Sequence, residues 1–205
     1  MIKEIIEKAK ELFRSKGNRL IVKDYPQGGY FYSERLGIDS TAFILYDKNT
    51  RKWGLIQERK PPMDERIVEP AIKELVTFQD EREAFMITAF GGSNDGIDME
   101  RYAKMNQAER IKHFAALART ECREEAGYNV DMDRVNFEEV VFVSTQQNQM
   151  CYLYAVDVTD IEQTEADPQS AMEAAATVVW LTEQEVQSSI NDWKAKTIVF
   201  QENMV

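Results

Sequence analysis

Thr120-Glu121-Cys122-Arg123-Glu124-Glu125-Ala126-Gly127-Tyr128 places three carboxylates within five positions of a helix-forming run. At about 3.6 residues per turn, positions 121, 124 and 125 fall within about 100° of one another, so the three acids share one face. Glu121 and Glu125 stand at i, i+4, where like charges repel by a few tenths of a kcal/mol. A divalent cation between them removes that cost. Clustered carboxylate oxygens suit Mg²⁺ or Mn²⁺, hard ions that keep several waters and are usually shared with substrate phosphates. Glu-rich faces of acidic proteins are mostly solvated, so the surroundings carry the argument. Ala115, Ala118, Cys122 and Ala126 form a stripe of small residues that lets this helix lie close to a sheet, and Gly127 supplies its C-terminal stop.

The run Glu121-Cys-Arg-Glu124-Glu125-Ala-Gly127-Tyr128 resembles the second half of the Nudix box, R-E-U-x-E-E-x-G-U with U a bulky apolar residue. Glu121, Cys122, Glu124, Glu125, Gly127 and Tyr128 match in register; Thr120 stands where the family has arginine. The first half, G-x5-E-x7, fails in strict register and fits better as a split box. Gly92-Ser-Asn-Asp-Gly-Ile-Asp98 reads as G-x5-D, and 21 residues then separate Asp98 from Thr120 where the family has seven, an insertion of 14. Ala89-Phe-Gly-Gly92 looks like the strand end and glycine turn that precede the box.

The resemblance implies an α/β fold, a Nudix-like α/β/α sandwich with a mixed β-sheet. It also implies hydrolysis of a nucleoside diphosphate linked to another group, by attack of water on phosphorus. Glu121, Glu124 and Glu125 become the metal ligands for Mg²⁺ or Mn²⁺, with Glu124 a ligand or an outer partner. The general base is either a box glutamate, Glu124 or Glu125, or a carboxylate of the acidic loop that follows the later strands, with Glu165 preferred to Glu162. Gly91 and Gly92 let backbone approach the substrate, and Arg59 is placed to meet a phosphate or sugar. The length of the chain is closer to ADP-ribose or nucleotide-sugar pyrophosphatases, relatives that are often homodimers. The rival of another class is a Nudix-fold nucleotide-binding or protein-interaction module without turnover, for which Thr120 and the insertion speak.

Composition is compatible with one globular domain. The 205 residues are 43% hydrophobic and 10% aromatic, enough for a full core. We divide them into an N-terminal extension (1–37), a Nudix core (38–190) and a C-terminal tail (191–205). The charged N-terminus and the lack of an 18-residue apolar run argue for a cytoplasmic protein without a membrane span. Cys122 and Cys151 lack C-x-x-C spacing and read as buried thiols; His113, the one histidine, reads as a helical residue near the core. With 25 basic and 36 acidic residues the formal charge is −11, which argues against nucleic acid as partner and for a small substrate.

Spacing predicts an amphipathic helix over residues 2–15, a structural element that could contribute to a dimer. It predicts strands at Leu20–Tyr25, Thr41–Tyr46, Trp53–Gln57, Ala84–Ala89, Phe137–Ser144, Met150–Val156 and Thr177–Leu181. Residues 60–83, with Pro61, Pro62 and Pro70, form an excursion, and Thr182 with Glu185 forms a capping box opening a last helix.

Overall fold

The structure, a computed structural model, describes residues 18–25, 28–35, 39–59, 85–94, 97–144, 147–168 and 174–202. The expected helix at 2–15 and the excursion at 60–83 lie outside the described residues. Nine strands form one mixed sheet among those described: β1 (Asn18–Tyr25), β2 (Gly28–Arg35), β3 (Ser40–Asp47), β4 (Lys52–Arg59), β5 (Phe85–Thr88), β6 (Phe90–Ser93), β7 (Val135–Ser144), β8 (Gln147–Asp157) and β9 (Thr177–Leu181). Among the described residues they are accompanied by the α-helices α1 (Met99–Lys104), α2 (Gln107–Ala126), α3 (Glu183–Ser189) and α4 (Trp193–Glu202).

Strands β3 and β8 run parallel at the centre, and their residues are buried on both faces. Phe43 and Leu45 with Tyr152, Tyr154 and Val156 face α2, whereas Ala42 and Ile44 with Cys151, Leu153 and Ala155 face α3 and α4. That period of two, apolar on both sides, belongs to a strand covered by helices front and back. The result is an α/β/α sandwich. Burying Phe114 of α2, stacked on Tyr152 with ring centroids 4.3 Å apart, stabilises the helix–sheet layer by about 1.5–3 kcal/mol. The stripe Ala115, Ala118, Cys122 and Ala126 is buried as its spacing predicts, and Gly127 closes α2 in the left-handed region at φ 75°. Both cysteines are buried free thiols.

Two readings of the sequence require correction. Gly91 and Gly92 lie within strand β6, paired with Ala42 and Thr41, instead of in a turn. Asp98 accepts the Glu100 and Arg101 amides as the N-cap of α1, so its side chain has a capping role and the first half of a split box gains no support. The residues inserted before the box form α1 and the first turns of α2, whose start is fixed by a reciprocal capping box between Asn106 and Glu109. Strand β2 is not anticipated by the sequence at all.

At the other end, Thr182 and Glu185 form the expected capping box of α3. Within the stretch read as a tail, α4 packs Ala195, Ile198 and Val199 against the sheet. Among the described residues, no helix is long and apolar enough to cross a membrane.

Candidate active site

The sheet is not continuous along its centre. β3 pairs with β4 only at Leu45 to Asp47; nearer its start, β3 takes β6 as neighbour, while the far half of β4 takes β5. β3 and β4 therefore diverge, and the short connection at Ala89 between β5 and β6 lies at the fork. The Ala89 N–H, outside either strand, donates to Asp192 Oδ2 at 2.8 Å. Asp192 Oδ1 accepts the Lys194 amide at 2.9 Å, so one buried carboxylate starts α4 and also holds the fork open.

A cleft of about 420 Å³ occupies the fork. Glu58 and Ile56 from β4, Met86 and Thr88 from β5, and Gly91 from β6 line it, with Glu125 arriving from α2 and Asp192, Trp193 and Lys194 from the start of α4. Thr88 Oγ1 donates to Glu58 Oε1 at 3.4 Å. Trp193 remains 41% exposed, which leaves an aromatic surface at the mouth.

The three glutamates leave the last turns of α2 differently. Glu121 lies against Gly92: a β-carbon on that glycine would sit 2.7 Å from Glu121 Cγ. Only the missing side chain makes room for the carboxylate. Glu125 enters the cleft beside Gly91, with its Oε2 buried, and its charge adds to burial in pushing the Cys122 thiol up to about 12. Glu124 is bonded by its neighbour, Arg123 Nη2 to Glu124 Oε1 at 2.9 Å. Arg123 therefore sits beside the acids. Among the described residues, no three His, Cys, Asp or Glu side chains converge as a metal cluster. A magnesium-type ion needs fewer, since one or two carboxylates with water and substrate phosphates complete its shell. Glu121 and Glu125 fit that donor set, with Glu121 resting in the space that a β-carbon on Gly92 would take.

Electrostatics sharpen the point. Glu124 and Glu125 stand in the last turn of α2, where the helix dipole is negative and a carboxylate costs about 0.3–1 kcal/mol. A sequence selected for stability alone would place them elsewhere. Thr120, in the position of the family's arginine, is exposed and donates to the Ala116 carbonyl at 3.1 Å.

The acidic loop after β8 is tied to this helix end. Thr164 N–H and Oγ1 both donate to the Gly127 carbonyl at 2.8 Å, Gln163 Nε2 donates to the Ala126 carbonyl at 2.9 Å, and Asp167 N–H donates to the Glu124 carbonyl at 2.9 Å. Those bonds satisfy the carbonyls that a helix leaves open at its end. Glu165 is thereby anchored beside the C-terminus of α2, with an exposed side chain; Glu162 is exposed too. Arg59 is the last residue of β4, paired through its backbone with Phe85, and its side chain lies outside the described structure.

Sequence reasoning missed Glu58, Asp192, Trp193 and Lys194. Asn191-Asp192 ahead of Trp193 is an N-cap signal and could have revealed the start of α4. Glu58 carries no comparable signal.

No protein-family model and no curated protein matches the sequence. The solved structure of an ADP compounds hydrolase does match in fold, with a TM-score of 0.58 over 91% of this chain and 84% of that one, at 9% identity. A likeness at that identity bears on the fold alone.

Proposed function

We propose that this protein is a metal-dependent hydrolase of the Nudix type, cleaving the diphosphate of a nucleoside diphosphate linked to another group, of the ADP-ribose or nucleotide-sugar kind. The observation carrying the proposal is that two acids on the last turns of one helix both reach strand β6, Glu121 seated on Gly92 and Glu125 lining the cleft of the forked sheet beside Gly91. The fold likeness to an ADP compounds hydrolase supports the same class.

Glu121 and Glu125 would hold Mg²⁺ or Mn²⁺, with Glu124 as an outer partner already oriented by Arg123. When bound, the cation neutralises charge developing on the phosphoryl oxygens and lowers the pKa of water. The remaining work falls to the chain. Gly91, the glycine of β6 that lines the cleft, lets the diphosphate approach the backbone there. Lys194 supplies a positive charge on the α4 side, and the exposed ring of Trp193 offers a face on which a nucleobase can stack. Glu125 is placed to receive the proton of the attacking water; Glu165, anchored beside the same helix end, is the alternative base.

The test is turnover with Mg²⁺ or Mn²⁺ on a panel of ADP-ribose, GDP-mannose, NADH, diadenosine polyphosphates, capped RNA and nucleoside triphosphates, with separation of the nucleotide products. Release of a nucleoside monophosphate is expected, falling by about 10²-fold or more in Glu121→Gln and Glu125→Gln. Unchanged activity in both variants refutes the site. Saturable nucleotide binding without turnover under either metal makes the chain a binding module.

A further inference from the structure

A second concavity, of about 500 Å³, lies between α1 and the first turns of α2 and is lined by Arg101, Lys104, Met105, Glu109, Lys112 and His113. It sits about 12 Å along α2 from Glu121, which follows His113 by eight positions at a rise of about 1.5 Å each. Its charge is opposite to that of the molecule as a whole, which carries −11.

Two exposed acids stand within reach, Asp98 and Glu109, and both are engaged with backbone amides. Glu109 Oε2 accepts the Asn106 amide at 2.8 Å, and Asp98 Oδ1 accepts the Glu100 amide at 2.9 Å, so each carboxylate is occupied in capping a helix. Among the described residues, no ion pair engages Arg101, Lys104 or Lys112, although the chain has acids in excess. Helix-dipole compensation accounts for Arg101 and Lys104, in the last turn of α1, but not for Lys112, which comes from the second helix. The His113 ring forms a fixed wall, its Nε2 2.6 Å from Asn94 Nδ2, and Met105 gives the hollow an apolar floor.

We propose that this hollow binds a small phosphate-class polyanion, with Arg101, Lys104 and Lys112 as its cationic rim. A concave wall in which three cations outnumber one carboxylate, that of Glu109, carries a net positive field and concentrates anions. Guanidinium and ammonium groups together suit phosphoryl oxygens, the first as a planar fork and the second as a point charge. The hollow's size selects a small molecule over a polymer. It needs no metal, and it is separate from the glutamate cleft, so its fate does not depend on the hydrolase assignment.

Calorimetric titration of the full chain with inorganic tripolyphosphate, in buffer containing a chelator, tests the proposal. One saturable site is expected, weakened by about tenfold or more in Lys104→Glu and in Lys112→Glu singly, unaffected by Glu125→Gln, and changed by less than about twofold in Lys52→Glu, an exposed lysine elsewhere that makes the same charge change. Amide shifts of the unmodified protein during the titration should centre on residues 101–113, a readout that needs no variant. Absence of saturable binding overturns the proposal. So does an equal loss in Lys52→Glu, which would reduce the effect to net charge, or a map of shifts centred on residues 121–125.

Discussion

Glu121 lies so closely over Gly92 that a β-carbon on the glycine would stand 2.7 Å from Glu121 Cγ and 2.8 Å from its Cδ. Contacts that short do not persist, and the mobile partner is the carboxylate arm, not the backbone of β6. Gly92→Ala should therefore rotate Glu121 off the strand while leaving the fold intact. Nucleotide hydrolysis is expected to fall by about 10²-fold, the scale of an ångström-sized misplacement, with stability changed by about 1 kcal/mol or less. Paired measurements of kcat and the urea midpoint check this.

Gly127 answers to two constraints at once. Its φ of 75° strains any residue with a β-carbon, and such a carbon would also collide with the Thr164 carbonyl, whose carbon would lie 3.2 Å away. Gly127→Ala should lose about 2 kcal/mol or more in denaturant unfolding. Asparagine tolerates the left-handed region, yet Gly127→Asn should not rescue stability, because the collision with Thr164 remains.

Asp192 holds two unrelated backbone groups, the Ala89 and Lys194 amides. Asp192→Ala leaves the first without its acceptor at the fork of the sheet, and a loss of about 1–3 kcal/mol in urea unfolding is expected. Asp192→Asn, which keeps one acceptor oxygen, should lose less.

The pH response has two separate windows. Burial and then the charge of Arg101 hold His113 below its ordinary value of 6.5. The unfolded chain thus binds a proton before the folded one does, and stability should decline as the pH falls through about 6.5 toward the lower folded value. For Asp157, burial acts upward, but the Lys48 and Thr159 hydrogen bonds outweigh it and hold the carboxyl below 3.8. Its contribution persists above that value and disappears as the pH falls through the folded one. Urea unfolding between pH 8 and 5 should show a slope that His113→Gln flattens and Asp157→Asn does not.

Local chemistry made much of this molecule legible. The small-residue stripe of α2 and its glycine stop follow from a period of about 3.6 and from the left-handed preference of glycine. The capping box at Thr182 and Glu185 is equally local, as are the central strands, whose apolar runs need no partner to be recognised. Gly91 and Gly92 misled because a glycine pair ordinarily marks a turn; here it marks a place where a helix presses a carboxylate onto a strand, a fact visible only from the helix side.

The sequence by itself determined that a helix ending at Gly127 carries three acids on one face beside a stripe fit for packing, because spacing along a helix fixes direction without any knowledge of neighbours. Only the tertiary structure decided what those acids meet. The divergence of β3 from β4 opens the cleft, and long-range pairing brings Glu58 and Trp193, more than a hundred positions apart, to its walls. No local preference encodes that pairing; it follows from how a twisted sheet with helices on both faces buries its apolar residues.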